Sequence, residues 1–306
     1  VNALSEKSSV LVAINSAKAT FAEIGYETPR LDAELLIAEA LGTDRISLYS
    51  NLDRTLNAGE IEKFRALVDA RAEGCPVAYL RGKKEFMSIE FSLTRDVPIP
   101  RPETEFVVEA ILAEKKESDE FFAADLCTGS GNIACSIARY RPKARVIATD
   151  VSAKALEVAR KNAGTAGVAD RVEFLEGDMF AAFAGRALEG AFDVIACNPP
   201  YVSESEFAAL HPGIRNYEPA GAFLAGADGL DFLRVIAAGA PRFMKPGGLL
   251  VLEIGDSQAD AVVKMLDDTR VLTELKVTKD YLALDRIASC RFQVPGSRFG
   301  KNIKNG

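Results

Sequence analysis

FFAADLCTGSGN, residues 121–132, runs from a short apolar strand through a loop of small residues into a helix. Asp125, Cys127, Thr128, Gly129, Ser130 and Gly131 fall at that crossover. Small residues there let the backbone approach a ligand closely, and the free N–H groups of the helix start face it. Asp150 ends the next apolar run, RVIATD, about 20 residues further on, where a carboxylate can accept both hydroxyls of a ribose. Val151 follows it. A third run, RVEFLEGD, ends in Asp178 beside Met179, placed to meet the exocyclic amine of an adenine. These residues alone leave two readings open, because Gly129-Ser130-Gly131-Asn132-Ile133-Ala134 also fits the dinucleotide fingerprint of a dehydrogenase.

Strands and helices alternate on both sides of this loop. FDVIACN (192–198) is a fourth strand, residues 229–244 are helical, Lys245-Pro246-Gly247-Gly248 is a turn, and LLVLEI (249–254) is a fifth strand. A helix from Ser257 and a closing hairpin, TELKVTKDY and RIASCRFQV, complete the pattern. Such alternation predicts an α/β fold, a mostly parallel sheet covered on both faces with ligands at the carboxyl ends of its strands. The first 75 residues read as helices only. Leu11, Ile14, Ala17, Phe21 and Ile24 recur at helical spacing and stop at Gly25. Thr28 and Pro29 open a second helix that runs to Gly42, and Asn57 with Glu60 forms a capping box for a third that ends near Gly74. The expected domains are a helical bundle at 1–75, a hairpin and linker at 76–102, an α/β domain at 103–298 and a disordered tail at 299–306. The α/β domain opens with a helix that carries Pro102, Glu103 and Glu105 in its first turn and Lys115 and Lys116 at its end, the charge order that suits a helix dipole.

Composition removes several classes. No apolar run approaches the roughly 18 residues of a membrane span, and VNALSEKSSV does not read as a secretory signal. Five scattered cysteines without C-x-x-C spacing and a single histidine predict a reducing, cytoplasmic setting and no metal. The net charge of −7 argues against a grip on nucleic acid, which usually needs a basic face.

Asn198-Pro199-Pro200-Tyr201 directly follows the fourth strand. Two prolines hold the asparagine stiffly at the strand end, and a proline carbonyl has no competing N–H beside it. The Asn198 side-chain oxygen and the Pro199 carbonyl can accept from one –NH₂ group, and Tyr201 can stack on a planar group. An amide nitrogen is a poor nucleophile because its lone pair is delocalised. Two fixed acceptors orient it and favour the rehybridised transition state as it takes up a methyl group.

In this order, the glycine loop, Asp150, Asp178 and Asn198-Pro199-Pro200-Tyr201 resemble the class I methyltransferases with an Asn/Asp-Pro-Pro-Tyr motif. Pro76-Val77-Ala78-Tyr79-Leu80-Arg81-Gly82, Ile99-Pro100-Arg101-Pro102-Glu103-Thr104-Glu105 and the helical N-terminal region narrow this. Together they resemble the peptide chain release factor glutamine methyltransferase (PrmC/HemK) family, from roughly Leu11 to Phe292. Members commonly carry glycine where Cys127 stands and often aspartate where Glu103 stands. The resemblance implies a Rossmann-like, seven-stranded sheet with a C-terminal antiparallel hairpin, plus a small all-helical N-terminal domain that helps hold the substrate. It also implies methyl transfer from S-adenosylmethionine, leaving S-adenosylhomocysteine, to the glutamine of the Gly-Gly-Gln loop of class I release factors. Cofactor contacts would fall on Asp125, Cys127 to Gly131, Asp150, Val151, Asp178, Met179 and Asn198. Substrate would lie against Asn198 to Tyr201, with Arg101, Pro102 and Thr104 closing over it. A monomer without direct nucleic-acid or membrane partners is expected. Two rivals stay open: an adenine methyltransferase on nucleic acid, which shares loop and clamp, and a non-catalytic nucleoside-binding scaffold.

Other features read more plainly. His211 is expected to be an exposed loop residue and Lys115-Lys116 a solvated helix end. Arg215 and Glu218 fit a substrate mouth or a surface ion pair equally well. Cys127 and Cys197 follow neighbouring strands, where they serve as small apolar groups or as a redox pair.

Overall fold

The computed structural model describes residues 4, 5 and 7–294, so the tail expected at 299–306 lies outside the described residues. Two compact units emerge. Within the described residues the first runs to Lys84 and takes in Leu93–Arg95 and Leu210–Glu218; the second comprises Glu85–Ser92, Asp96–Ala209 and the chain from Pro219. No helix of the described residues is long and apolar enough to cross a membrane.

The first unit is helical: α1 (Val10–Ile24), α2 (Pro29–Leu41), α3 (Arg45–Tyr49), α4 (Ala58–Ala72) and α5 (Val77–Arg81). α1 stops where Gly25 turns left-handed at φ 90°, and α2 stops at Gly42 in the same way. Both bonds of the Asn57–Glu60 capping box are present at the start of α4. The buried face of α1 is Val10, Ala13, Ile14, Ala17 and Phe21, whereas Leu11 and Ile24 are exposed. Thr28 precedes α2 as expected but does not cap it; its hydroxyl donates to Asp32 Oδ1 at 2.9 Å. The stretch after residue 75 begins with the helical turn α5 and only then forms the hairpin β1 (Lys83–Phe86) and β2 (Ile89–Ser92). Glu34 is buried in this unit and is held by Arg30 at 2.8 Å, Arg45 at 2.7 Å and Tyr49 at 2.9 Å.

The second unit carries α6 (Glu105–Glu114), entered through a 3₁₀ turn at Pro102–Thr104, then β3 (Phe122–Leu126), α7 (Asn132–Tyr140), β4 (Arg145–Asp150) and α8 (Ala153–Thr165). It continues with β5 (Val172–Glu176), β6 (Phe192–Cys197), α9 (Glu204–Ala209), α11 (Asp231–Phe243), β7 (Met244–Glu253), α12 (Ala259–Asp268), β8 (Leu272–Lys279) and β9 (Asp285–Phe292); the short α10 (Pro212–Arg215) belongs to the first unit. The seven-stranded sheet has the order β5-β4-β3-β6-β7-β9-β8. It is parallel as far as β7, while β9 runs antiparallel to both β7 and β8, as the closing hairpin predicts. The expected turn at Lys245–Gly248 lies inside β7, where the pairing slips between Phe192 and Val194.

Alternation along each strand builds two cores. Ala123, Val146, Ala148, Val194, Ala196 and Val251 point to one face, under α6 and α7. Ala124, Leu126, Ile147, Ile195, Leu250 and Leu252 point to the other, under α11 and α12. A strand buried on both faces has no polar position to spare, which is why these segments read as continuous apolar runs.

Candidate active site

Parallel register sets the site. Leu126 lies level with Thr149 on one side and Cys197 on the other, and Cys197 lies level with Leu252. The residues next in line, Cys127, Asp150, Asn198 and Glu253, therefore stand together at the carboxyl edge. The strand order reverses around β3, the position where open sheets of this kind bind ligands.

The glycine loop is held from below. Asp125 is fully buried; its Oδ2 accepts from the Thr128 hydroxyl at 2.6 Å and from the Ala134 N–H at 3.0 Å. Burial pushes Asp125 up to about 7 against the pull of those two donors, and the nearby Asp150 charge adds to the rise. The Asp125 carboxyl group is thus bonded into both ends of the loop. Thr128 N–H donates to Thr149 at 2.8 Å, and Asn162 donates to the Ser130 carbonyl at 2.9 Å. Gly131 adopts φ 81°, which favours glycine, and a Cβ there would crowd Ala159 Cβ at 3.1 Å.

Asp150 accepts from the N–H groups of Gly129 and Ser152, each at 2.9 Å. Burial raises its pKa, and those backbone donors oppose the rise. Val151 beside it is 72% exposed and offers an apolar face at the strand end. Asp178 is exposed, and Met179 is buried with φ 48°. Cys127 is half-buried with φ 57°, and Cys197 is buried. Burial, together with the Cys127 thiol beside it, holds Cys197 well above the ordinary thiol value. A neutral, buried thiol behaves as a small apolar group.

The Asn-Pro-Pro-Tyr segment is fastened at each end. Asn198 Nδ2 donates to Thr104 Oγ1 at 3.0 Å, and among the described residues no hydrogen bond reaches its Oδ1. Pro199 and Pro200 are buried. The Tyr201 hydroxyl donates to Glu253 Oε1 at 3.1 Å, and its carbonyl accepts from Gln258 at 2.9 Å. Gly229 lies so close that a Cβ there would be 2.5 Å from that carbonyl, and Val202 pairs with Leu224 in a parallel bridge. Thr104 is buried, and its hydroxyl accepts from Asn198. Arg101 donates to the Ile99 carbonyl at 2.7 Å, and Pro102 opens the 3₁₀ turn that carries Thr104.

Glu253 was missed by sequence reasoning. It is 1% exposed, and burial pushes it up to about 7; Thr104, Tyr201 and the Arg286 charge pull it down, and Glu103 pushes it up. Nothing in LLVLEI marks it as more than a strand end. His211 is exposed, as expected, and its Nδ1 accepts from Gly213 N–H at 3.0 Å; with Arg215 and Glu218 it belongs to the first unit.

Residues 13–82 match the model of the PrmC N-terminal domain, and residues 103–214 match that of the methyltransferase small domain. The release factor glutamine methyltransferase of Chlorobaculum tepidum is 40% identical over 290 residues, covering 93% of this chain and 98% of that one. Its counterpart from Moorella thermoacetica is 41% identical over 274 residues (90% and 95%), and that from Xylella fastidiosa 43% over 258 residues (84% and 91%). Among solved structures, the hMettl16 catalytic domain in complex with MAT2A 3'UTR hairpin 6 superposes with a TM-score of 0.53 at 15% identity, covering 75% of this chain and 83% of that one; this likeness is one of fold. Spanning nearly all of such relatives at 40% identity or more, the chain belongs to the release factor glutamine methyltransferase family, enzymes of methyl transfer.

Proposed function

We propose that this enzyme methylates the side-chain amide nitrogen of the glutamine in the Gly-Gly-Gln motif of class I release factors, with S-adenosylmethionine as donor. The observation that carries the reading is the fixed asparagine. Asn198 has its amino group tied to Thr104 and its oxygen left as an acceptor, at the same strand level as the glycine loop and Asp150. Family membership supports the protein substrate over nucleic acid, and the net charge of −7 points the same way.

The residues present fit the donor. Asp150 uses one lone pair on each oxygen for backbone donors and keeps others for two ribose hydroxyls. Gly129 to Gly131 give a loop without side-chain bulk, Val151 and Met179 give apolar contact, and Asp178 gives an acceptor for an amine. When bound, the sulfonium supplies an activated methyl group and a neutral thioether leaving group. The chain's own work is placement. Asn198 Oδ1 and the Pro199 carbonyl accept the two amide hydrogens, so the nitrogen lone pair is turned out of conjugation and toward the methyl group. Pro199 and Pro200 keep those acceptors rigid, and the Tyr201 ring bounds the plane of the amide. No base is needed beforehand, because the nitrogen becomes acidic once alkylated. The enzyme acts as a cytoplasmic monomer on its protein partner, with Arg101 and Pro102 near the substrate.

The test is methyl transfer from labelled S-adenosylmethionine to a purified class I release factor. A copy with the Gly-Gly-Gln glutamine changed to alanine, and duplex DNA, are run beside it. Label on the unaltered factor alone is the expected result. Label on DNA, or on the alanine copy, overturns the substrate reading.

A further inference from the structure

We propose that Glu253 is a positioning residue that sets the donor–acceptor polarity of Asn198, an inference that rests on the reading of Asn198 as the substrate acceptor. β7 ends in four buried apolar residues, Leu249 to Leu252, followed by this buried glutamate. A well-packed apolar side chain would be the more stable choice there, so the carboxyl group calls for a reason outside stability. Its Oε1 accepts from the Tyr201 hydroxyl at 3.1 Å, while Oε2 has no hydrogen-bond partner of its own. The Thr104 hydroxyl is its other polar neighbour and lowers its pKa. That same hydroxyl accepts from Asn198 Nδ2 at 3.0 Å.

The logic is one of counting hydrogens. A threonine hydroxyl has one hydrogen to give and can either donate to or accept from an amide. Left alone, Thr104 would hold Asn198 in either orientation, and one of these presents –NH₂ to a substrate that itself brings –NH₂. An ionised carboxylate only accepts. With the Thr104 hydrogen drawn toward Glu253, the Thr104 oxygen can only accept from Asn198. Nδ2 is thereby turned inward and Oδ1 outward, the polarity a glutamine amide requires. Protonation of Glu253 releases the constraint, because the acid can donate to Thr104 and Thr104 to Asn198.

The charged and titratable groups around the carboxyl come from three elements. Tyr201 follows β6, Glu103 shares the 3₁₀ turn with Thr104, and Arg286 lies on β9, where it is paired with Asp280 at 3.1 Å. Burial is the largest effect and sets the group at about 7, inside the working range of a cytoplasmic enzyme. Since the ionised form is the positioning form, turnover should rise with pH through that value and level off above it.

The experiment compares wild type, Glu253→Gln, Thr104→Ser and Thr104→Val between pH 5.5 and 9. It records turnover, calorimetric affinity for S-adenosylmethionine, melting temperature and the side-chain amide ¹⁵N resonance of Asn198 in the free enzyme. Glutamine at 253 accepts from Tyr201 but offers –NH₂ to Thr104, which reverses the chain. Turnover at pH 8 should therefore fall about 10–100-fold, less than the about 10²–10³ for outright loss of a preorganised group, because the Asn198 amide is still present. The acid limb near pH 7 should vanish, and so should the matching shift of the Asn198 resonance. Cofactor affinity and melting temperature should hold, which a merely structural role would not predict. Thr104→Val should fall with Glu253→Gln, and Thr104→Ser much less. A Glu253→Gln enzyme with wild-type turnover and an unaltered acid limb overturns the proposal. Asn198→Ala, run in parallel, separates the two ideas: if it too is fully active, the acceptor reading itself fails, and this proposal with it.

Discussion

Asn198→Ala removes two things at once, the outward acceptor Oδ1 and the inward bond from Nδ2 to Thr104 at 3.0 Å. The second loss is a stability matter. One hydrogen bond is worth about 0.5–1.5 kcal/mol net, and the Thr104 hydroxyl left behind is a neutral group, so the cost stays at that scale. From a typical starting stability of about 5–15 kcal/mol, that leaves well over 99% of the protein folded at 25 °C. The first loss is kinetic. A preorganised group aimed at the charge that develops in the transition state contributes about 2.7–4 kcal/mol, or about 10²–10³ in turnover. The two effects differ enough in size to be told apart. Turnover at saturating S-adenosylmethionine and release factor should fall by about 10²–10³, with cofactor affinity changed little and the melting temperature lowered by only a few degrees. Steady-state kinetics, calorimetry and a thermal melt on the same preparation decide it. Turnover within about threefold of wild type would refute the argument that Oδ1 orients the amide.

Three other outcomes follow from the same geometry. Asp150→Ala should weaken S-adenosylmethionine affinity by at least about 10–100-fold, the worth of one of the two charge-assisted hydrogen bonds it would make to the ribose, and leave saturated turnover far less affected; unchanged calorimetric affinity would mean the ribose site lies elsewhere. Gly131→Val forces a β-branched residue to φ 81° with its Cβ 3.1 Å from Ala159, so it should lower stability by about 1–3 kcal/mol and abolish cofactor binding, and a wild-type melting curve would contradict this. Burial alone would raise Glu34, but the bonds from Arg30, Arg45 and Tyr49 outweigh it and hold the group below its ordinary 4.5. Because the folded value is depressed, the stabilisation is fully present above 4.5 and is lost as pH falls below it. Glu34→Gln should therefore cost about 1–2 kcal/mol by urea unfolding at pH 7 and converge on wild type in acid; a pH-independent difference would rule out a charge effect.

What was legible in the sequence depended on how locally each feature is determined. The ends of α1 and α2 are written in Gly25 and Gly42, because few other residues adopt the left-handed conformation that closes a helix. The central strands β3, β4 and β6 are written in their apolar runs, since burial on both faces leaves no alternation to misread. α3 and α5 were not legible: five residues make little more than one turn, too short for a helical period to show. The facing of α1 was half legible, because an apolar residue at either edge of the buried stripe fits the spacing equally well, and only packing against α2 and α4 selects Val10 over Leu11. Glu253 lies at the far end of the same scale. Burial raises its pKa, and the groups that modulate it lie on a 3₁₀ turn about 150 residues earlier and a strand about 30 residues later, neither of which leaves a trace in the local string.

Residues so distant in sequence meet because of a property of parallel strands. Inside the sheet the N–H and C=O groups of a central strand are paired with its neighbours, so chemistry gathers at the last residue of each strand or the first one beyond it, where the side chain need not face a core. Antiparallel strands scatter those positions to opposite edges. Parallel strands gather them, and here the level set by Leu126, Thr149, Cys197 and Leu252 gathers four. The sheet constrains them in a second way, because side chains alternate faces along a strand and a slip of one residue in β6 would turn Asn198 away from Thr104. The phenylalanines and branched aliphatics that fill both faces therefore do more than stabilise. By fixing register they set Asn198 beside Thr104 and level with Glu253 one strand away, the position from which, in the proposal above, a single carboxylate holds the orientation of that amide.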